Sequence, residues 1–557
     1  MIQSMFGLIS TRFWLLVFVV IAFVISALGK ANDLKILVEP GMDSHYAITI
    51  SFLGNSSGKT DLALPNEWDG MRELYKAIGP IKISPADAVI SETSDPAVKS
   101  VTHKPGERIT GTYQIAPGFE GQYNTEKRYR PVIDKSHIHW IGYAIWILPD
   151  WKDDDQVNVV LEWRIPSGWM IANSFGTAER KQKFKAALDE LRSAVFVAGD
   201  FRMVATKAAS KQVNVAVRGK WQFEDAELAE LARKIIETER SFWNDHSQDH
   251  YLVTLVPLDE GPNSRSLGGT GLTNSFALFA TTNSGIERFQ SLLAHEYFHN
   301  WNAQKLGKMP DPEQKMFWFS EGFTDFYTYE LLRRSGLISN SEYVARYNEM
   351  IREYFTLPVR TEPNERIVKD FWSDRNVQRL PYLRGFLFAT NLNASIKKAS
   401  GGKHSLDDVM HALSDGAKGK SQEVSFETIS KALTPFLGSD LQPLLDKFIV
   451  KGELIAPDAE ALGPASILET VQLSVFEVGF DVDTFIRDKT VRNINPNSAA
   501  YAAGLRDGQQ RNGGVSIYWG DTTREIELKV KDDTGEKTIK YLPVARERVE
   551  VPQFKLK

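Results

Sequence analysis

The sequence has no cysteine, which excludes a disulfide scaffold, a thiol nucleophile and thiolate metal ligands. Histidine is scarce, with 10 in 557 residues, so any chemistry resting on imidazole has few candidates. Positive charge is not in excess. The 66 Lys and Arg stand against 71 Asp and Glu, for a net charge of −5, and no basic stripe interrupts that balance, so no nucleic-acid partner is expected. Long apolar runs are nearly absent. The exception, Phe13–Gly29, follows Arg12 and is uncharged throughout. It is long for a signal-peptide core and short of the ~20 residues of a spanning helix. Residues 1–31 are therefore expected to be a signal peptide or a membrane anchor, with Ala27, Gly29 and Ala31 offering a small-residue cleavage site. The single leading Arg favours export of the rest of the chain. The expected location is periplasmic, or anchored and facing the extracytoplasmic side, with the membrane touched only through this segment.

The remainder is ordinary globular material, 42 % hydrophobic and 25 % charged, in a chain too long for one core. No internal repeat or low-complexity tract breaks it. From Asn32 to Pro166 it reads as β structure, with alternation in Tyr46–Phe52 and Gln156–Trp163. His137 and His139 share one face of a strand there. With no third ligand nearby, they read as packing rather than metal binding. A charged amphipathic helix is expected over 178–191 and another over 224–244, where Leu228, Leu231, Ile235 and Ile236 recur at helical spacing. Tyr251–Pro257 reads as a buried strand. The glycine-rich Ser266–Ser275 lacks the Gly-Lys-Ser/Thr that a phosphate-binding loop needs. Beyond Gly336 the chain is expected to be mostly helical to Gly452, where His404 and His411 face solvent, and 456–464 reads as a linker.

The informative stretch is Ser291-Leu-Leu-Ala-His295-Glu296-Tyr-Phe-His299-Asn-Trp-Asn302. At about 100° per residue, His295 and His299 lie one turn apart on one helical face. Two imidazoles so placed can hold one Zn²⁺, and Glu296 is positioned to take a proton from an attacking water. After a break at Gly307–Pro312, Phe317–Gly336 reads as a second helix. A catalytic zinc needs a third protein ligand and an open position, and Glu321 suits that role. Asp325, one turn further, can orient a ligand imidazole. The plain alternative is an amphipathic helix pair with incidental histidines.

His295-Glu-Tyr-Phe-His-Asn-Trp-Asn302 followed by Ser320-Glu-Gly-Phe-Thr324 resembles the glycyl aminopeptidase family of PDZ-containing gluzincin zinc metallopeptidases. The resemblance implies one Zn²⁺ per chain, held by His295, His299 and Glu321, with Asp325 steadying His295. It also implies a multidomain α+β fold: an N-terminal β domain (32–175), a thermolysin-like, mainly helical catalytic domain (176–455) and a C-terminal PDZ-like domain (466–550). Phe476–Asp481 resembles the carboxylate-binding loop of a PDZ domain and Val491–Gly508 its strand and turn, although Gly508-Gln509 replaces the usual Gly-Asp. Such a domain captures an extended peptide or a peptide C-terminus at a sheet edge.

Leu380-Pro-Tyr382-Leu-Arg384-Gly385 resembles the pattern in which this clan's tyrosine assists the transition state, and a phenol donating to an oxyanion is a sound role for Tyr382. Arg384 is left between touching substrate and pairing with an acid. The stretch with Gly268, Gly269 and Asn274 resembles the substrate strand of these enzymes. It departs from them at Gly271, where relatives carry an acid that helps hold the substrate's amine; the loop around Asp311 and Glu313 is one place from which another acid can come. The expected function is an exported zinc metallopeptidase acting on peptides or proteins, an aminopeptidase favouring N-terminal Gly or Ala. The alternatives are an endopeptidase of the same fold and a non-catalytic, PDZ-type peptide-binding protein.

Overall fold

The computed structural model describes residues 32–557 apart from 42–44, 261–263, 420–421, 514 and 516; the expected signal or anchor segment lies outside the described residues. Among them, no helix is long and apolar enough to cross a membrane. The architecture is multidomain α+β, with an N-terminal β-sheet region, a central helical region and a C-terminal β-rich region. By contacts the chain forms two compact units. The first comprises the described residues up to Gly121, Tyr129–Phe201 and Leu272–Asn274; the second comprises Gln122–Arg128, Arg202–Gly271 and Ser275–Lys557.

In the first unit, Asn32–Pro40 pairs parallel with Gln156–Trp163 and antiparallel with Tyr46–Leu53. Tyr46, Ile48, Ile50 and Phe52 alternate into the core, as the period-two pattern requires. His137–Ile141 is a strand with all of its residues buried. The helix expected over 178–191 is instead a strand, Lys181–Ala187, laid along Gln156–Trp163, followed by the short helix Leu188–Arg192. The lysines at 181, 183 and 185 alternate with inward Gln182, Phe184 and Ala186. That is a strand's periodicity, hidden in the sequence by its charge. This strand and Val195–Gly199 carry the unit to Phe201, beyond residue 175.

The second unit opens with a five-stranded sheet in the order Arg202–Ala208, Lys211–Val217, His250–Pro257, Ser275–Ala280, Leu267–Leu272. Leu267–Leu272 is thus an edge strand. Five helices of this unit define the site: α1 (Asp225–Trp243), α2 (Glu287–Phe298), α3 (Gly322–Arg334), α4 (Asn340–Thr356) and α5 (Arg375–Ala399). α1 buries Leu228, Leu231, Ile235 and Ile236, the stripe legible in the sequence. α5 starts where the Asp374 carboxylate accepts from the backbone N–H groups of Asn376 and Val377. α3 and α5 cross at two glycines: a Cβ on Gly322 would lie 2.4 Å from the Gly385 Cα, and one on Gly385 would lie 1.8 Å from the Trp318 carbonyl oxygen. Only glycine allows that approach.

Toward the C-terminus, Ser466–Phe476 and Val544–Leu556 form an antiparallel ribbon. Val551 and Phe554 are buried in the helical core. Asn348 of α4 donates to the Phe554 carbonyl and accepts from its N–H, each at 2.7 Å. Between the ribbon strands, Phe476, Val478, Phe485, Val491, Leu505, Ile526, Leu528, Val530 and Ile539 build a separate small core. It is roofed by the strands Gln510–Arg511, Ile526–Asp532 and Gly535–Tyr541. The expected span 466–550 therefore divides: its ends pack on the helical body, and its interior is a domain of its own.

Candidate metal centre

α2 buries Phe289, Leu293, Ala294, Tyr297 and Phe298, which leaves the opposite face, with His295 and His299, only partly covered. The side chains of His295, His299 and Glu321 are 14 %, 20 % and 17 % exposed, enough for water to reach. Among the described residues they are the group of three donors suited to a metal ion. Their facing atoms form a triangle: His295 Nε2 to His299 Nε2 is 3.1 Å, His295 Nε2 to Glu321 Oε2 is 3.3 Å, and His299 Nε2 to Glu321 Oε2 is 3.5 Å. Donors about 2.0–2.2 Å from a tetrahedral zinc are spaced about 3.3–3.5 Å apart. The triangle fits one Zn²⁺ and leaves a fourth corner open.

Electrostatics point the same way. Burial pulls the His295 ring toward its neutral form, but the Asp325 and Glu321 carboxylates outweigh it and hold the ring well above the usual histidine range. Burial would raise Glu321, yet the two imidazoles bring it far below the usual carboxylate range. The carboxylates thus favour a positive charge at this point, which a bound cation would supply.

Each imidazole is held from behind. His295 Nδ1 lies 2.9 Å from Asp325 Oδ1, and His299 Nδ1 donates to the Asn302 carbonyl at 2.6 Å. Both contacts put the N–H on Nδ1 and leave Nε2 free to bind metal. The fully buried Asn302 also donates through Nδ2 to the carbonyls of Phe319 and Ser320 and to Thr324 Oγ1, at 3.2, 3.3 and 3.1 Å. It thereby ties the end of the first motif to the turn that presents Glu321. The sequence places Asn302 in the motif without showing its task, because its partners lie some twenty residues further along the chain.

Glu296 accepts a hydrogen bond from the Gly271 backbone N–H at 3.2 Å, so the edge strand touches this carboxylate directly. Burial raises the Glu296 pKa, against the pull of His295 and His299. A Cβ built on Gly271 would meet the Glu296 carbonyl oxygen at 3.4 Å and Oε2 at 3.6 Å, so the position has room for a side chain. Gly269 has none, since a Cβ there would lie 2.5 Å from the Phe276 ring. Gly268 abuts the Arg128 side chain, and Asn274 turns the chain with a left-handed φ of 45°. Asp311 and Glu313 are solvent-exposed.

The Tyr382 ring stacks at 6.2 Å and 22° on His295. Burial, then the charges of Glu321 and Asp325, push its phenol well above the usual tyrosine range, so it remains a donor. The Gly322–Gly385 crossing sets its distance from Glu321, because each glycine is within three residues of the group it positions. Arg384 is fully buried and donates to the Glu362 carbonyl at 2.5 Å and the Arg360 carbonyl at 3.3 Å. That makes it a structural cap rather than a substrate contact.

A family model described as M61 glycyl aminopeptidase matches residues 288–376, the span that carries His295, Glu296, His299, Glu321 and Asp325. No curated protein matches the sequence. Among solved structures, the chain is similar to an aminopeptidase N family protein from Idiomarina loihiensis, at 16 % identity and TM-score 0.71, covering 94 % of this chain and 98 % of that one. It is also matched to an M1 zinc metallopeptidase from Deinococcus radiodurans, at 13 % identity and TM-score 0.47, covering 77 % and 95 %. The first likeness shows that the fold is shared over nearly the whole length. With a converged His-His-Glu donor set and a carboxylate beside it, the chain is a zinc metallopeptidase.

Proposed function

We propose that the protein is an exported aminopeptidase that removes small N-terminal residues, Gly or Ala, from peptides. The observation that carries this reading is the convergence of Glu296, Tyr382 and the donor triangle beside an edge strand. Zinc held by His295, His299 and Glu321 would supply Lewis acidity and lower the pKa of water. An extended substrate adds to the edge strand at Gly268–Gly271, with Asn274 at its turn. Glu296 takes the proton of the attacking water and returns it to the leaving amine, and its burial-raised pKa suits both tasks. Tyr382 donates to the oxygen on which negative charge develops. Asp325 and the Asn302 carbonyl keep the two imidazoles aimed. The C-terminal domain, read as PDZ-like, holds an extended peptide or a peptide C-terminus, and residues 1–31 direct export.

One observation favours a second reading, an endopeptidase on the same scaffold. An ammonium in a closed cleft needs a partner, since an unpaired charge there costs several kcal/mol, and Gly271 brings no acid where the space permits one. A peptide library with free and acetylated N-termini, offered to the zinc-loaded chain with and without chelator, separates the readings. Chelator-sensitive cleavage that favours free N-terminal Gly or Ala, with weak discrimination against acetylated peptides, is expected. Gly271→Glu should sharpen that preference. Equal cleavage of both sets makes the protein an endopeptidase, and no cleavage at all removes the peptidase reading.

A further inference from the structure

Three side chains line one face at the start of α5: Arg375, Arg379 and Tyr382, spaced i, i+4 and i+7. The first meets the C-terminal domain. Its Nε donates to Asp483 Oδ1 at 2.5 Å, and its guanidinium lies 5.9 Å from the centre of the Trp519 ring. The second is held by Glu353 of α4 through two parallel hydrogen bonds of 2.8 Å each, and its guanidinium sits 5.3 Å from the centre of the Tyr382 ring. Glu353 is blocked from behind. A Cβ on Gly520, the residue after Trp519, would lie 2.2 Å from the Glu353 Cγ, and Gly520 has a φ of +72°. Pro381, just before Tyr382, takes one backbone N–H out of the helix, so side-chain contacts carry more of the work of fixing this ring.

Building on the peptidase reading above, we propose that Glu353 and Arg379 are positioning residues for Tyr382, and that the Trp519–Gly520 turn of the C-terminal domain clamps them in place. A two-pronged Arg–carboxylate pair has one preferred geometry, and a guanidinium over an aromatic face attracts the ring. Together they fix the phenol where a displacement of about 1 Å can cost 10²-fold in rate. The C-terminal domain then contributes to turnover as well as to any peptide it holds. A merely structural ion pair would support folding and leave the tyrosine's contribution untouched.

The test measures kcat and KM of the zinc-loaded full chain for Arg379→Met, Arg379→Lys, Glu353→Gln and Gly520→Ala, each also combined with Tyr382→Phe. Arg379→Met should lower kcat about tenfold with KM unchanged. Arg379→Lys should recover part of the loss, and neither should lower kcat further once the Tyr382 hydroxyl is gone. A second readout needs neither metal nor turnover. In chelator-treated protein, Gly520→Ala should lower the unfolding midpoint strongly in wild type and less in a Glu353→Ala background, where the obstructed side chain is missing. Equal kcat losses with and without the Tyr382 hydroxyl, a change confined to KM, or strictly additive unfolding shifts would overturn the proposal. Absence of turnover in zinc-loaded wild type would sink the peptidase reading, and the role of the bracket with it.

Discussion

Two of the protein's histidine pairs, one on a strand and one on a helix, share little but composition. His137 and His139 sit two apart on a strand and are 3 % and 1 % exposed. His295 and His299 sit one helical turn apart with their rings part-exposed and facing each other. The strand pair has a carboxylate, since His137 Nδ1 lies 2.9 Å from Asp134 Oδ2, and it packs edge-on against Phe201 at 5.9 Å. A histidine with an acid beside it is therefore not enough for a metal centre. The helical pair differs in having Nε2 atoms that converge, a third donor arriving from the turn before α3, and separate groups fixing each ring from behind.

Breaking the third donor should have the largest effect. Glu321→Ala leaves two ligands and is expected to lose its zinc, with turnover falling to background, whereas His137→Ala should keep a full complement; metal analysis of both variants decides. A full zinc in the Glu321 variant would remove that residue from the donor set. Next comes Glu296→Gln, which keeps the shape of the site. Zinc should stay while kcat falls by ~10² or more, and near-wild-type turnover would assign the proton transfer elsewhere. Smaller again is Asp325→Asn, which loosens the hold on His295 and should weaken zinc binding ~10–100-fold, measurable by competition with a chromogenic chelator. Unchanged affinity would show that the ring is held by packing alone.

The smallest expected effect belongs to the strand pair and appears in stability. Burial, then the neighbouring His137, depress the His139 pKa to about 3, below the ~6.5 of an unfolded chain. Between those values the unfolded state binds a proton that the folded state does not. His139 therefore costs nothing above about 6.5 and destabilises the fold progressively as pH falls toward 3. His139→Phe should flatten that part of the stability–pH curve, and parallel curves for variant and wild type would refute it.

Much of the site is legible in the sequence because its logic is local. His295, Glu296 and His299 follow from helical spacing, and Glu321 from the need for a third ligand on the next helix. The illegible part depends on distance along the chain. The hold of Asn302 on Phe319, Ser320 and Thr324 requires knowing that the two motifs meet. The Gly322–Gly385 approach requires knowing how α3 crosses α5. The ribbon that pairs Gln472 with Glu550 joins segments whose patterns give no hint of each other. The strand at Lys181–Ala187 reads as a helix because lysines, which tolerate either conformation, mask a period of two.

That ribbon has a consequence for how the C-terminal domain is attached. A domain appended to the end of a chain hangs from one point and swings; this one leaves the helical body at Ser466–Phe476 and returns at Val544–Leu556, so it hangs from two. The contacts of Asp483, Trp519 and Gly520 with α4 and α5 add to those two strands in holding it. Synthesis feels the same constraint. The places of Val551 and Phe554 in the helical core stay unfilled until the domain between them and α5 has been made. A premature stop anywhere in that domain would then cost more than the domain itself: it would leave the core of the helical body open.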